Sequence, residues 1–171
     1  MYNITHGYIV VLCFCQLTFG QSPEELSVIM DIKDYVQTID SLKSWDNLKE
    51  IKVTNFTVKE ALLSFYLKDN KPIKITLAGQ NTNTEIVNSF YIRNEKLIYN
   101  SEQLKYYKEE LSQHMIVAQE TSESFFQGEK LLLQKDNYGE VQTVSQTYLD
   151  AAGISILDEY KVLRELLQDV E

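Results

Sequence analysis

A pattern of about ten residues occurs three times in this 171-residue chain, and it restricts the fold more than any other feature. The copies are Ser64-Phe65-Tyr66-Leu67-Lys68-Asp69-Asn70-Lys71-Pro72-Ile73, then Ser89-Phe90-Tyr91-Ile92-Arg93-Asn94-Glu95-Lys96-Leu97-Ile98, then Ser124-Phe125-Phe126-Gln127-Gly128-Glu129-Lys130-Leu131-Leu132. The first two align without a gap, and the third has one residue fewer before its lysine. Each couples a run of strand-forming residues to a polar turn and a second apolar run, which is a β-hairpin. Asp69-Asn70, Asn94-Glu95 and Gly128-Glu129 supply the turns, and Asp, Asn and Gly tolerate the positive φ of a two-residue hairpin loop. The predicted hairpins span 61–68 with 72–78, 84–93 with 96–100, and 116–127 with 130–135. Pro72 cannot donate to a ladder, so an edge or a bulge is expected there.

Aligned on their Ser-Phe pairs, the copies put Phe65, Phe90 and Phe125 on one face of the sheet. Tyr66, Tyr91 and Phe126 share the other face with Ser64, Ser89 and Ser124. The Phe face is the expected core. The second face is either packed beneath a helix or open as an aromatic platform, which makes Tyr66, Tyr91 and Phe126 the candidate ligand-binding residues.

Helices flank the hairpins. Ser22 caps, Pro23 opens and Glu25 closes a capping box. Ile29, Ile32, Val36 and Ile39 follow at helical spacing, extended by Leu26 and Leu42, which predicts a helix over 23–43. Ile51 to Val58 alternates as a strand. Leu104, Tyr107, Leu111 and Met115 predict a short helix at 102–112, with an extended edge strand as the alternative. Asp136-Asn137-Tyr138-Gly139 reads as a turn. Ile156, Tyr160, Leu163, Leu167 and Val170 predict a C-terminal helix that starts near Ser155 and Asp158, with Gly153 ending a short helical turn before it. The fold class is therefore α+β: an antiparallel meander sheet of about seven strands built from three hairpin repeats, packed by an N-terminal and a C-terminal amphipathic helix.

The first twenty residues hold no Lys, Arg, Asp or Glu, and Tyr8 to Phe19 is almost continuously apolar. That run is too short to cross a bilayer and fits the core of a signal peptide, with Thr18 and Gly20 placed for cleavage before Gln21. The expected organisation is a signal peptide at 1–20 and a single α+β domain at 21–171, with no transmembrane span. Cys13 and Cys15 both lie in the leader, so a cleaved chain has no disulfide framework, no thiol nucleophile and no cysteine-bound zinc.

All charged residues lie beyond the leader, giving a net charge of −9 with the basic residues scattered singly. That charge opposes nucleic acid, and no partner of that kind is expected. His114 is the only histidine beyond the leader, and no Gly-x-Ser-x-Gly elbow accompanies it. Glu109-Glu110 and Glu120 with Glu123 are the nearest approach to a pair of catalytic acids. Asp136 to Glu140 lacks the alternating ligands of a calcium loop, and no glycine-rich phosphate cradle occurs, so no cofactor or metal is expected. Asn55-Phe56-Thr57 matches an N-glycosylation acceptor, and Asp40-Ser41-Leu42 has the Asp-Ser-apolar form of bacterial envelope O-glycosylation.

The repeats, of the form Ser-Phe-Tyr-x-x-Asn-x-Lys-x-Ile, resemble those of small, mostly uncharacterised secreted proteins of Bacteroidetes-type bacteria, and the leader ending Thr18-Phe19-Gly20-Gln21 resembles their export signals. The likeness covers about 60–135 and implies export without supplying a catalytic residue. The turns are also similar to the tandem Tyr-x-x-Gly-Lys hairpins of MORN-type repeats, although Gly is absent from the first two. The expected function is an exported, non-catalytic binding domain of the envelope or extracellular space, acting on a protein, peptide or glycan. A periplasmic carrier or chaperone for an apolar ligand and a carboxylate-based hydrolase are the alternatives.

Overall fold

The computed structural model describes residues 22–54, 60–110, 113–137, 139–140 and 145–168. Helix α1 (Pro23–Asp40) precedes strands β1 (Asn47–Thr54), β2 (Glu60–Lys68), β3 (Lys71–Gln80), β4 (Thr84–Arg93), β5 (Lys96–Glu110), β6 (Gln113–Gln127), β7 (Lys130–Asp136) and β8 (Gly139–Glu140), and helix α2 (Gln146–Gln168) follows. The strands lie in one sheet in chain order, each antiparallel to the next, with β8 a two-residue addition to a seven-strand meander. The α+β class is as expected. Asn55-Phe56-Thr57, the leader and Val170 lie outside the described residues.

Local chemistry accounts for the elements. The Ser22 hydroxyl accepts from the Glu25 amide at 3.1 Å, and the Glu25 carboxylate accepts from the Ser22 amide at 3.0 Å, completing the capping box. Asp69, Asn70, Asn94 and Glu95 all have positive φ, as type I′ loops require. In the third loop the positive φ belongs to Gly128, the pattern of a type II′ turn.

Each repeat also carries a β-bulge at the same distance from its turn. Register slips between Tyr66 and Leu67, Tyr91 and Ile92, and Phe125 and Phe126. The extra residue falls on the return strand as Ile73, Ile98 and Leu132, the closing apolar position of every copy. A bulge places two successive side chains on one face. Ile98 and Tyr99 accordingly lie together against α1, as do Leu132 and Leu133.

Both faces of the sheet are covered. Beneath α2 lie Leu63, Phe65, Leu67, Ile75, Leu77, Ile86, Phe90, Ile92 and Phe126, closed by Tyr160, Leu163 and Leu167. Beneath α1 lie Tyr91, Ile98, Tyr99, Phe125 and Leu133, closed by Ile29, Ile32 and Ile39. The third repeat is thus turned over relative to the expected alignment: Phe126 joins Phe65 and Phe90, and Phe125 joins Tyr66 and Tyr91. A hairpin's register is set from its turn, so the residue missing before Lys130 shifts the aromatic pair by one and exchanges its faces.

Three further expectations are corrected. Residues 102–110 form no helix but continue strand β5, the extended alternative, which has an edge only beyond Tyr106. Beyond Gln103, this strand is held by β6 on one side and, up to Tyr106, by β4 on the other, and this pairing overrides the helical spacing of Leu104 and Tyr107. Helix α2 runs unbroken from Gln146 through Gly153. Gly153 is there for close approach: a Cβ at this position would stand 3.0 Å from the Leu131 Cβ. Helix α1 ends at Asp40, and Leu26 and Leu42 are exposed at 47% and 40%.

Candidate functional site

The sequence-predicted residues do not form an open platform. Tyr66 is half-buried on the α1 side, its ring 4.8 Å from that of Trp45. Tyr91 is buried on the same side and donates to both Asp40 oxygens at 2.8 and 2.9 Å. Phe126 is buried on the opposite face, beneath α2. Lys74 links the two tyrosines. Its Nζ is 4.8 Å from the Tyr91 ring and 5.7 Å from the Tyr66 ring, and it pairs with Asp40 at 2.7 Å. The aromatic row continues through Tyr99, which is 5.4 Å from Tyr91 and 5.0 Å from Phe125 and donates to Glu123 at 2.7 Å. Burial, and then the carboxylate each hydroxyl donates to, push Tyr91 and Tyr99 far above the usual phenol range. These groups stay protonated; Tyr91 fastens α1 to the sheet through Asp40, and Tyr99 ties β5 to β6 through Glu123.

The unexpected chemistry lies under α2. Over β2, β3 and the turn-proximal half of β4, the α2 face is apolar. Across the centre of β4, and over β5–β7 beyond Leu97, Phe126 and Leu131 at their turn ends, the same face turns polar, with Asn88, Asn100, Glu102, Ser122, Ser124 and Gln134. The pairing sets them side by side: Asn88 opposite Glu102, Glu102 opposite Ser122, Asn100 opposite Ser124, and Ser124 opposite Gln134. Asn88, Asn100 and Ser124 are buried. Buried polar side chains are the informative exceptions in a core, and each of these is hydrogen-bonded to a polar neighbour. Asn100 Nδ2 donates to Asn88 Oδ1 at 2.6 Å, while Asn88 Nδ2 faces both Glu159 oxygens of α2 at 3.3 Å. Gln134 Nε2 reaches the hydroxyls of Ser122 and Ser124 at 3.4 and 3.3 Å.

This polar area opens into a recess of about 340 Å³ lined by Glu102, Leu104, Glu120, Ser122, Gln134 and Asp136, with Tyr148 of α2 beside them. Asn137 shapes its rim by accepting from the Thr121 amide at 2.7 Å and donating to the Gln119 carbonyl at 2.6 Å. The Tyr148 side is open, that residue being 50% exposed. Burial raises the Glu102 carboxyl above its ordinary value, and the neighbouring charge of Glu120 adds to this. Burial also raises Glu159, Glu102 pushes it further, and the Asn88 amide opposes both. Such a wall offers carboxylate and hydroxyl acceptors, an amide donor, and carboxyl groups that gain from a donor placed between them.

Of the expected acid pairs, Glu120 lies on this recess and Glu123 faces the other side, bonded to Tyr99. The Glu109, Glu110 and His114 side chains lie outside the described residues. Among the described residues, no group of His, Cys, Asp and Glu is arranged to hold a metal ion, and no helix is long and apolar enough to cross a membrane. No known protein family, no curated protein and no solved structure matches this chain.

Of the recess residues, the sequence singles out Glu120, Asp136 and Asn137, whereas Glu102, Ser122, Gln134 and Tyr148 stand outside every motif. One signal was present. Ile86-Val87-Asn88-Ser89-Phe90 alternates with Asn88 at a core position, and a polar residue on that parity marks a bonded interior group.

Proposed function

We propose that the protein is an exported, non-catalytic binding domain that takes a small polyhydroxylated ligand, such as a saccharide unit, in the recess between α2 and β5–β7. The observation that carries the reading is the polar area of an otherwise apolar layer, bonded within itself and opening into a recess. A volume near 340 Å³ suits a small ligand. Carboxylates, hydroxyls and an amide around the wall match a ligand that both donates and accepts many hydrogen bonds. The half-exposed ring of Tyr148 at the rim offers a face for stacking. Export rests on the uncharged, apolar first twenty residues. An apolar cargo is less well supported, because the apolar half of the layer is filled by side chains such as Phe65, Leu77 and Phe90 with no exposed surface.

Titration calorimetry with a panel of neutral mono- and disaccharides tests this. At least one member binds, and Gln134→Leu and Tyr148→Ala each weaken it roughly tenfold, the loss of about one good hydrogen bond or stacking contact. Unchanged affinity in both variants, or no binding across the panel, overturns it. A paired-acid hydrolase is the second reading, favoured by the charge of Glu102 beside Glu159 and of Glu120 beside Glu102. It requires release of a reducing sugar that Glu102→Gln abolishes.

A further inference from the structure

The sheet has two long edges of opposite character. Edge strand β1 carries Lys49, Glu50 and Lys52, charges that discourage another strand from pairing. The second edge belongs to β6. Strands β5 and β6 are each 15 residues long, whereas β7 has 7, so the β5–β6 hairpin projects past its neighbours. Pairing of β6 with β7 ends at Ser122 opposite Asp136. Among the described residues, no strand pairs with the outer side of β6 from Gln113 to Ala118, while from Gln119 to Thr121 the Asn137 side chain occupies the edge backbone. This stretch presents Met115, Ile116 and Val117 at 55%, 52% and 54% exposure, three consecutive large apolar side chains in water. Gln113 to Gln119 contains no Lys, Arg, Asp or Glu, in a chain of net charge −9.

We propose that this edge is an interface between two copies of this chain, paired antiparallel about a two-fold axis at Ile116. Charge favours that occupant: two molecules of −9 repel over most of their surfaces, and here they can meet without bringing acids together. The segment also complements itself. A two-fold at Ile116 sets Ile116 opposite Ile116 with Met115 and Val117 flanking it, the isologous arrangement of a two-fold dimer, around the bulge that β6 carries at Val117, where its register with β5 passes from Ala118 to Ile116. Strand addition would remove both the apolar exposure and the unpaired edge. The recess lies on the α2 face and is not needed for this contact, so the inference is independent of the binding function.

The test is crosslinking in the full chain with Cys13→Ser and Cys15→Ser, which leaves no other thiol. Ile116→Cys is incubated with oxidised glutathione, which accepts the two electrons and protons as the two thiols join. Opposed residues of an antiparallel pair have Cα atoms about 4.5–5.5 Å apart, within disulfide reach. The expected result is a covalent dimer from Ile116→Cys and none from Met30→Cys, on an exposed turn of α1 at 67% exposure. Sedimentation of the parent chain gives twice the monomer mass, and Ile116→Lys, folded by circular dichroism, gives the monomer mass. A monomeric parent at high micromolar concentration, or equal crosslinking from both cysteines, overturns the proposal. Should Ile116→Lys not fold, Met115→Glu takes its place in the same measurement.

Discussion

Beneath α2 the same sheet face is built in two ways. The half near Phe65, Leu77 and Phe90 is sealed, with side chains that have no exposed surface. The half near Asn88, Asn100 and Ser124 is equally dry at its centre but made of amides and hydroxyls, and it opens at its margin toward Glu102, Gln134 and Tyr148. The apolar half draws stability from removing hydrocarbon from water. The polar half contributes little net stability, because each of its hydrogen bonds replaces one to water. What it gives is a wall of fixed donors and acceptors at the edge of a cavity, and that difference is the reason to place binding there.

The largest expected effect breaks the apolar half. Leu163→Ala removes a fully buried side chain of α2 and lowers stability by about 2–5 kcal/mol in chemical denaturation. Asn88→Leu attacks the polar half. It leaves the Asn100 amide with only its 3.3 Å contact to the Ser89 carbonyl, takes the Asn88 amide from the Glu159 carboxylate, and costs about 1–3 kcal/mol. If Asn88→Leu proved as stable as the parent chain, the polar half would be dispensable packing.

Gly153→Ala examines the seam between α2 and β7. In an exposed helix this change gains about 1 kcal/mol. Here the new methyl meets the Leu131 Cβ at 3.0 Å, and the crowding reverses the sign, to a net loss of about 1 kcal/mol. A gain in melting temperature would show that the helix can lift off the sheet at this point.

Glu159→Gln gives the smallest shift and a distinctive pH profile. The folded protein raises both Glu159 and Glu102, so it favours their neutral forms. Stability from a raised carboxyl is fully present below its unfolded value and is lost as pH rises through its folded value. The variant, neutral throughout, should match the parent in acid and exceed it above the carboxylate range. Asp31, Glu85 and Glu95 are lowered by their partners and act in the opposite sense, but they are common to both proteins and cancel in the difference. A parent and variant that track each other across the pH range would contradict the burial of Glu159.

The architecture was legible because its signals are local. Ser22 to Glu25 names the start of α1, and the turn residues at 69–70, 94–95 and 128–129 name three hairpins. The faces of the third repeat were not legible from aligned letters, because a one-residue deletion before a turn moves side chains across the sheet while leaving the motif recognisable. The continuation of β5 past Gln103 was hidden for a related reason. Its apolar spacing mimics a helix, and only pairing with β4 and β6 decides the matter. The candidate site was least legible. Asn88 was visible as a polar residue at a core position, but Glu159 comes from a helix 71 residues further on, and only the packing of α2 brings the two together.

The most direct test of the account follows backbone amide shifts by NMR while the protein is titrated with neutral saccharides. Binding in the recess predicts saturable shifts at Glu102, Ser122, Gln134 and Tyr148, with the single tryptophan, Trp45 on the α1 side, unmoved. Shifts centred on Trp45 and Tyr66, or none with any sugar of the panel, would contradict it.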